Sequence, residues 1–369
     1  MTTTPADARL VAQQFPYSPR SSRARRILGT WRHPVAQALT KAVLTVFITT
    51  TITFFLIRLM PGNPIDIKID ELTKDGTLSY EEARAQASSL FSIDLDEPIH
   101  EQYLSFLGNL VRGNLGYSFV SQGASVTAIV LAVLPWTLFA VGMGLLLSFT
   151  AGVFLGILAA YRRNTPFDHI VSLGGSIISS IPPYFLPLII ILTLGVQFRV
   201  LPFTQMRGAY TSGIAIGLTP AFVGDVLFHA ALPITVYFLA SIGHWILSMK
   251  SATMAALEED YVTVARARGL SDGRITTAYI GRNAVLPLVT QLAITAGYAI
   301  GGSILIERYL VYEGVGQRLD KAIQQRDYPV MQGILLMITL SVVIATLLAD
   351  LLYSRLDPRI GRAGGASGG

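Results

Sequence analysis

The chain has 369 residues, 51% of them hydrophobic and only 14% charged, with a mean hydropathy of +0.52. That balance excludes an ordinary soluble domain and fits a polytopic membrane protein. It has no cysteine, which excludes disulfides and thiolate chemistry, and its formal charge of +5 is not gathered into the aromatic-laced basic face of a nucleic-acid binder.

In chain order, residues 1–34 form a proline-containing basic arm (Arg9, Arg20, Arg23, Arg25, Arg26, Arg32). It is expected to be a disordered cytoplasmic segment, either solvated or lying on anionic membrane lipid. Residues 35–60 hold the first transmembrane helix, an apolar run over 35–59. Its threonines (Thr45, Thr49, Thr50, Thr51, Thr53) are β-prone in water, but in hydrocarbon the backbone must satisfy itself and the helix is enforced. Lys41 and Arg58 snorkel to the interfaces. Residues 61–125 read as an extracytoplasmic insertion with helical apolar spacing over 80–91 and 97–110, the latter through Ile99, Tyr103, Phe106, Leu107 and Leu110. Residues 126–354 carry five further apolar runs, at 128–160, 170–196, 230–249, 284–306 and 330–353, each long enough to cross a bilayer. Pro135 predicts a tilted or kinked second span. Residues 355–369 are a cytoplasmic tail ending in a low-complexity glycine-rich stretch. The fold class expected is therefore all-α and polytopic, with about six transmembrane helices.

Charge sets the orientation. The arm, Arg162–Arg163, the group Lys250, Arg266, Arg268, Arg274 and Arg282, and Arg355, Arg359 and Arg362 all fall on one side of a six-span bundle. The segment between spans one and two has ten acids and four bases. The positive-inside rule then places both termini in the cytoplasm.

A polar segment over 258–285 separates the fourth and fifth spans. Tyr261, Val264, Ala265 and Arg268 share one helical face, and Gly269 is expected to end that helix with a positive φ. Ser271 and Asp272 are expected to cap a second helix starting near Arg274. The segment is either an ordinary cytoplasmic loop or a surface gripped by another protein.

Polar groups inside spans mark a pathway or a helix contact. The third span contains Ser176, Ser179, Ser180, Pro182, Pro183, Tyr184 and Pro187; its paired prolines bend it, either as a pore-lining bend or as a structural kink. In the fifth span Gln291, Thr295, Tyr298 and Ser303 form a stripe beside Gly297, Gly301 and Gly302, suited to a subunit interface, a cavity wall or simple helix contact. Asp350 is read as a structural partner of Arg355, Glu307 and Arg308 as solvated rim charges, and His169, His229 and His244 as interfacial or packing residues.

Signatures of catalysis are missing. None of the five lysines follows a glycine, so no phosphate-binding loop exists and any driving energy must come from another chain. His100-Glu101 begins a metalloprotease pattern that Leu104 ends, and Gly365-Ala366-Ser367-Gly368 lies outside any span. No metal, cofactor or catalytic residue is expected.

Several segments carry a resemblance. Asp260, Tyr261, Ala265, Arg266, Ala267, Arg268, Gly269 and Leu270, followed by Arg282, Asn283, Ala284, Leu286 and Pro287, resemble the coupling ("EAA") loop of ABC importer permeases of the dipeptide/oligopeptide branch. R-L-M-P-G-N-P at 58–64, D-L-D-E-P at 94–98, Q-Y-L at 102–104, R-G-N-L-G-Y-S-F at 112–119, S-I-P at 180–182, an altered N-x-R-D-Y-P-x-x-Q-G at 325–333 and L-D-P-R-I at 356–360 follow that family's first-type permease. The chain departs from it at Gln325, where Asn is usual, in the doubled proline at Pro183, and in its longer basic arm. The resemblance implies a type I ABC importer transmembrane domain working with a homologous second permease, two ABC ATPase subunits that bind the ATP, and an extracytoplasmic substrate-binding protein. It implies ATPase coupling through Asp260, Tyr261, Ala265, Arg266, Arg268, Gly269 and Leu270. A pathway along Ser179, Ser180, Pro182, Tyr184, Gln291, Thr295 and Tyr298 would then carry di- or oligopeptides, or else nickel complexes, glutathione or oligosaccharides. An ion-coupled secondary transporter would need midplane acids and inverted repeats, and a membrane enzyme convergent catalytic groups; neither pattern is evident.

Overall fold

The structure is a computed structural model that describes residues 34–60, 69–70, 73–74, 79–91, 97–121, 123–302 and 304–356. The basic arm, the motif residues 61–64 and 94–96, and the tail from residue 357 lie outside the described residues, as do the side chains of Arg282, Asn283, Ser303, Asp350 and Arg355. The chain divides into two compact units, residues 1–45 and 46–369. In the first, the described residues are the opening of α1.

The helices in order are α1 (Pro34–Arg58), α2 (Tyr80–Phe91), α3 (Ile99–Val111), α4 (Val126–Tyr161), α5 (Pro166–Ser180), α6 (Phe185–Ile190, continued by a π-helical turn Ile191–Gln197), α7 (Pro220–Leu257), α8 (Asp260–Ala267), α9 (Asp272–Arg274, continued by a π-helical turn Ile275–Gly281), α10 (Arg282–Gly302), α11 (Ile304–Leu310), α12 (Val315–Gln324) and α13 (Tyr328–Leu356). The threonines of α1 are helical as expected: Thr51 donates to the Phe47 carbonyl at 2.8 Å and Thr53 to that of Thr50 at 3.0 Å, so these two hydroxyl protons are satisfied within the helix. α4 runs through Pro135 without a break. α7 starts ten residues before the expected apolar run, at Pro220 in the first turn after Thr219, whose hydroxyl accepts from Phe222 N–H at 3.3 Å.

Among the described residues five helices are long and apolar enough to cross a membrane, namely α1, α4, α7, α10 and α13. The third expected span is a bent pair, α5 and α6 meeting at 106°. Whether that pair crosses follows from how its neighbours pack. A β-carbon on Gly144 would lie 2.5 Å from Tyr237 Cβ, one on Gly152 2.4 Å from Trp245 Cβ, and one on Gly156 2.8 Å from Met249 Cβ. Numbers rise together along both helices, so α4 and α7 are parallel, in backbone-close contact that only glycine permits. Two consecutive parallel spans require the chain to return between them, and α5–α6 with the following loop makes that return. α10 and α13 are antiparallel, Gly297 facing Val342 and Ala345, and Gly301 facing Ile338.

Three apolar clusters stack along the bundle. At one end Ile57, Ala83, Phe119, Val126, Val315, Leu319, Tyr328 and Ile334 join the cap segments to the helix ends. The middle holds Ala140, Leu186, Val236 and Tyr312. At the other end Trp245, Met249, Val262, Ala265, Ile275, Ala284 and Leu288 seat α8. These are called the cap end and the coupling end.

Candidate functional site

At the coupling end, α8 is one short amphipathic helix resting on the ends of three spans. Val262 and Ala265 are buried at 0% and 2%, packed in the cluster that includes Trp245 and Met249 of α7, Ala284 and Leu288 of α10, and Val153 and Ile157 of α4, with Tyr261 and Leu270 at its margin. Asp260, Thr263, Val264, Arg266, Ala267, Arg268 and Gly269 face outward, Val264 being 54% exposed. The single face read from the sequence is thus split. Ala265 is a seat for the helix, not part of its open surface, because the buried stripe is centred one position round from Val264.

The helix end is built as expected at Gly269. Its φ is +71°, its N–H donates to Arg266 O at 2.9 Å, and Leu270 N–H donates to Ala265 O at 3.2 Å. These paired bonds are the Schellman arrangement, with Leu270 folding back onto the buried side. A β-carbon on Gly269 would meet nothing within 4 Å, so this tip is open. The second helix differs from expectation. It begins at Asp272, with Arg274 and Ile275 N–H both on the Ser271 carbonyl at 3.0 Å, and passes through the π-helical turn directly into α10. Ile275 is fully buried, so α8 and the foot of α10 share one core.

Beside α8 lies a polar lock absent from the sequence reading. Lys250 of α7 donates to Asp168 of α5 and, at 2.9 Å, to the Ser172 hydroxyl; Asp168 also accepts from Ser172 at 3.0 Å and from Asn164 N–H at 3.1 Å. Lys250 had signified only orientation. The pair ties the start of α5 to α7, since a charge so close to the apolar core needs a partner.

Higher in the bundle the expected pathway residues divide between α5, the elbow that follows it and α10. α5 ends at Ser180, whose hydroxyl donates to Ser176 O at 2.8 Å. The chain turns at Ile181, and Phe185 N–H picks up the Pro182 carbonyl at 2.9 Å, so the two prolines, lacking N–H groups, stand at the elbow. Ser179, Ser180, Pro182, Pro183 and Tyr184 are exposed there. α5 touches α7 at Gly243, where a β-carbon would come within 2.4 Å of Ser179 Oγ. The next residue, His244, bonds Gln291 of α10 through Nε2···Nε2 at 2.9 Å. Ser179, His244 and Gln291 therefore occupy one level. Thr295 is half-buried and Tyr298 63% exposed further along α10. His244 is the member that sequence reasoning missed, because spacing along one helix is silent about a partner on another.

The cap end holds two buried carboxylates. Glu307, expected as a solvated rim charge, is fully buried. It accepts from the Thr137 hydroxyl at 2.7 Å, from Gly316 N–H at 2.7 Å and from Gln317 N–H at 3.3 Å, while Val315 N–H donates to Thr137 Oγ1 at 2.8 Å. The carboxylate thus sits on the N-terminus of α12, where free amides and the helix dipole favour an anion. Burial pushes the Tyr312 phenol above its usual range, with the charge of Glu307 adding to the effect. Arg308 is a rim residue as expected, paired to Asp320 at 3.0 Å. Asp327 accepts from the Ser118 hydroxyl and from Phe119 N–H at 3.1 Å, joining two motif segments 209 positions apart. Among the described residues no group of three or more His, Cys, Asp or Glu is placed to hold a metal ion.

A multi-pass bundle with a covered end, a broken third crossing and an open polar helix at the opposite end defines a membrane permease. The chain belongs to the binding-protein-dependent transport system inner membrane component family, which matches residues 152–362. It is 32% identical over 339 residues to the di/tripeptide transport system permease protein DppB of Pseudomonas aeruginosa, covering 88% of this chain and 98% of that one. It is 29% identical over 311 residues to the oligopeptide transport system permease protein AppB of Bacillus subtilis, covering 84% and 93%. The figure is also 29%, over 333 residues, for the dipeptide transport system permease protein DppB of Escherichia coli K12, covering 86% and 96%.

Proposed function

We propose that this chain is one of two homologous permease subunits of an ATP-driven importer for di- or oligopeptides. Two partner ATPases grip the open surface of α8, and an extracytoplasmic binding protein delivers the substrate to the cap end. The names of the relatives support the substrate class. Charge asymmetry supports cytoplasmic termini and a cytoplasmic α8.

The observation that carries the reading is the construction of α8. Its inner side shares a core with α4, α7 and α10, while Val264, Arg266, Arg268 and the tip at Gly269 stand open. A push on that surface reaches three spans at once. Closure of the ATPases then swings the bundle between inward- and outward-facing states, a population shift imposed through one rigid contact. The elbow at Ile181–Tyr184 and the level of Ser179, His244 and Gln291 line the route, exposing hydroxyl, imidazole and amide groups where hydrocarbon neighbours would be costly.

Gly269→Asp tests this. It adds a charged side chain at the open tip, away from the core, so the protein should insert and accumulate normally while transport and ATPase co-purification fall together. Full transport with normal co-purification would make the segment an ordinary loop.

A further inference from the structure

α3 is an amphipathic helix that transport as described above does not use. Its position relative to α1 is fixed by aromatic contacts. Tyr103 and Phe106 lie against Phe54 with ring centroids 5.3 Å apart in each pair, and Tyr103 is also 5.3 Å from Phe55. The Tyr103 hydroxyl shares a 2.7 Å hydrogen bond with Thr51. Phe54 and Phe55 stand four and three residues before Arg58, the last residue of the span, which is about 5 Å below its end at the rise of an α-helix. That depth is where interfacial helices settle, roughly 5–10 Å into the boundary between headgroups and acyl chains.

The distribution of side chains around α3 agrees. At about 100° per residue its surface falls into three sectors. Gln102, Tyr103 and Phe106 face α1. On one flank Leu104, Leu107 and Val111 form an apolar strip, with Leu104 64% and Val111 89% exposed, interrupted only in the first turn by the exposed His100. Glu101, Ser105, Gly108 and Asn109 make a polar third sector, continued by Arg112 just past the helix end. A helix bathed in water on both free sectors would not expose Leu104 and Val111 beside an aromatic seat. The neighbouring surface of α1 is itself apolar and open at Ile52, Phe55, Leu56 and Leu59, the covering expected of a span in lipid, so the strip on α3 continues a lipid-facing surface.

We propose that α3 lies in the membrane interface at the cap end, with the Leu104, Leu107 and Val111 flank on lipid acyl chains and the Glu101, Ser105 and Asn109 sector toward water. α3 then anchors the insertion to the bilayer and fixes the level of the first span.

Because the chain has no cysteine of its own, single substitutions Leu104→Cys, Val111→Cys, Ser105→Cys and Asn109→Cys can each carry one nitroxide label. The full-length chain would be studied with its transport partners, their cysteines removed, in liposomes of phosphatidylethanolamine and phosphatidylglycerol. The ratio of collision with oxygen to collision with a water-soluble nickel chelate should be several-fold higher at 104 and 111 than at 105 and 109. Labels at 104 and 111 shielded from both reagents would mean that protein covers the flank, a second permease or a binding protein. Chelate access equal to that at 105 and 109 would place α3 in water. Either result overturns the proposal, and neither bears on the role of α8.

Discussion

The seat of α8 at one end of this bundle and the clamps at the other are held by different chemistry, the Lys250–Asp168 lock beside α8 apart. At the cap end buried carboxylates clamp segments distant in sequence: Glu307 gathers Thr137 and the first amides of α12, and Asp327 gathers Ser118 and Phe119. At the coupling end α8 rests on an apolar cluster and closes with a glycine turn, and its charged residues Arg266 and Arg268 face out. Directional bonds give one geometry and fail sharply when one partner goes. An apolar seat tolerates small shifts and leaves the polar surface available to a partner. Under the function proposed above, the contrast suits a braced receiving end and a driven end.

The sharpest way to break that contrast is Glu307→Ala. It leaves the Thr137 hydroxyl and two amides buried without their acceptor and should cost about 3 kcal/mol or more, seen as a large drop in thermal stability in detergent and in membrane yield. A nearly unchanged melting temperature would show that the clamp is not what braces the cap. Next comes the pair Ala265→Asp and Val264→Asp, adjacent residues about 100° apart on α8, the first buried and the second exposed. The first puts a carboxylate into the cluster with Trp245 and Met249 and should destabilise by about 2–3 kcal/mol. The second stays in water and should remain within about 0.5 kcal/mol, losing ATPase association instead. Equal melting temperatures would contradict the split face. Gly269→Ala isolates backbone strain from the bulk and charge of Asp. With φ at +71° it should cost about 1 kcal/mol, and Gly269→Asn, which tolerates that region better, should cost less; thermal melts order the three.

The smallest effect concerns the start of α2. Glu82 accepts from Ser79 N–H at 3.0 Å and from its hydroxyl at 2.8 Å, and Ser79 Oγ accepts from Glu82 N–H at 3.4 Å, a reciprocal capping box. Those bonds hold the Glu82 carboxyl below its ordinary range. A depressed folded value means that the cap contributes above the ordinary glutamate range and is lost as pH falls through the folded value. Amide exchange at the first turn of α2 should therefore rise relative to α3 on acidification, and Glu82→Gln should remove most of that pH response.

Spans were legible because hydrophobic length is a one-dimensional property: the run read at 35–59 became Pro34–Arg58, and that at 128–160 became Val126–Tyr161. Gly269 was legible because a left-handed helix end needs glycine locally. Direction and pairing were not. The run at 170–196 shows its apolarity but not the 106° turn, and only the doubled proline hinted at a bend. Glu307 looked like a rim charge because its partner Thr137 lies 170 positions away. His244 and Lys250 looked unremarkable for the same reason, since cross-helix partners leave no trace in the periodicity of either helix.

The glycine contact between α4 and α7 has a mechanical consequence. Two parallel helices locked at Gly144, Gly152 and Gly156 behave as a single beam about 50 Å long, too stiff to slide along its own seam. Under the proposed function, a load applied at its foot by α8 would tilt the beam as a unit, and the displacement at its far end would scale with lever length. The compliance needed for opening must then reside in elements joined to the beam more loosely, foremost the elbow between α5 and α6.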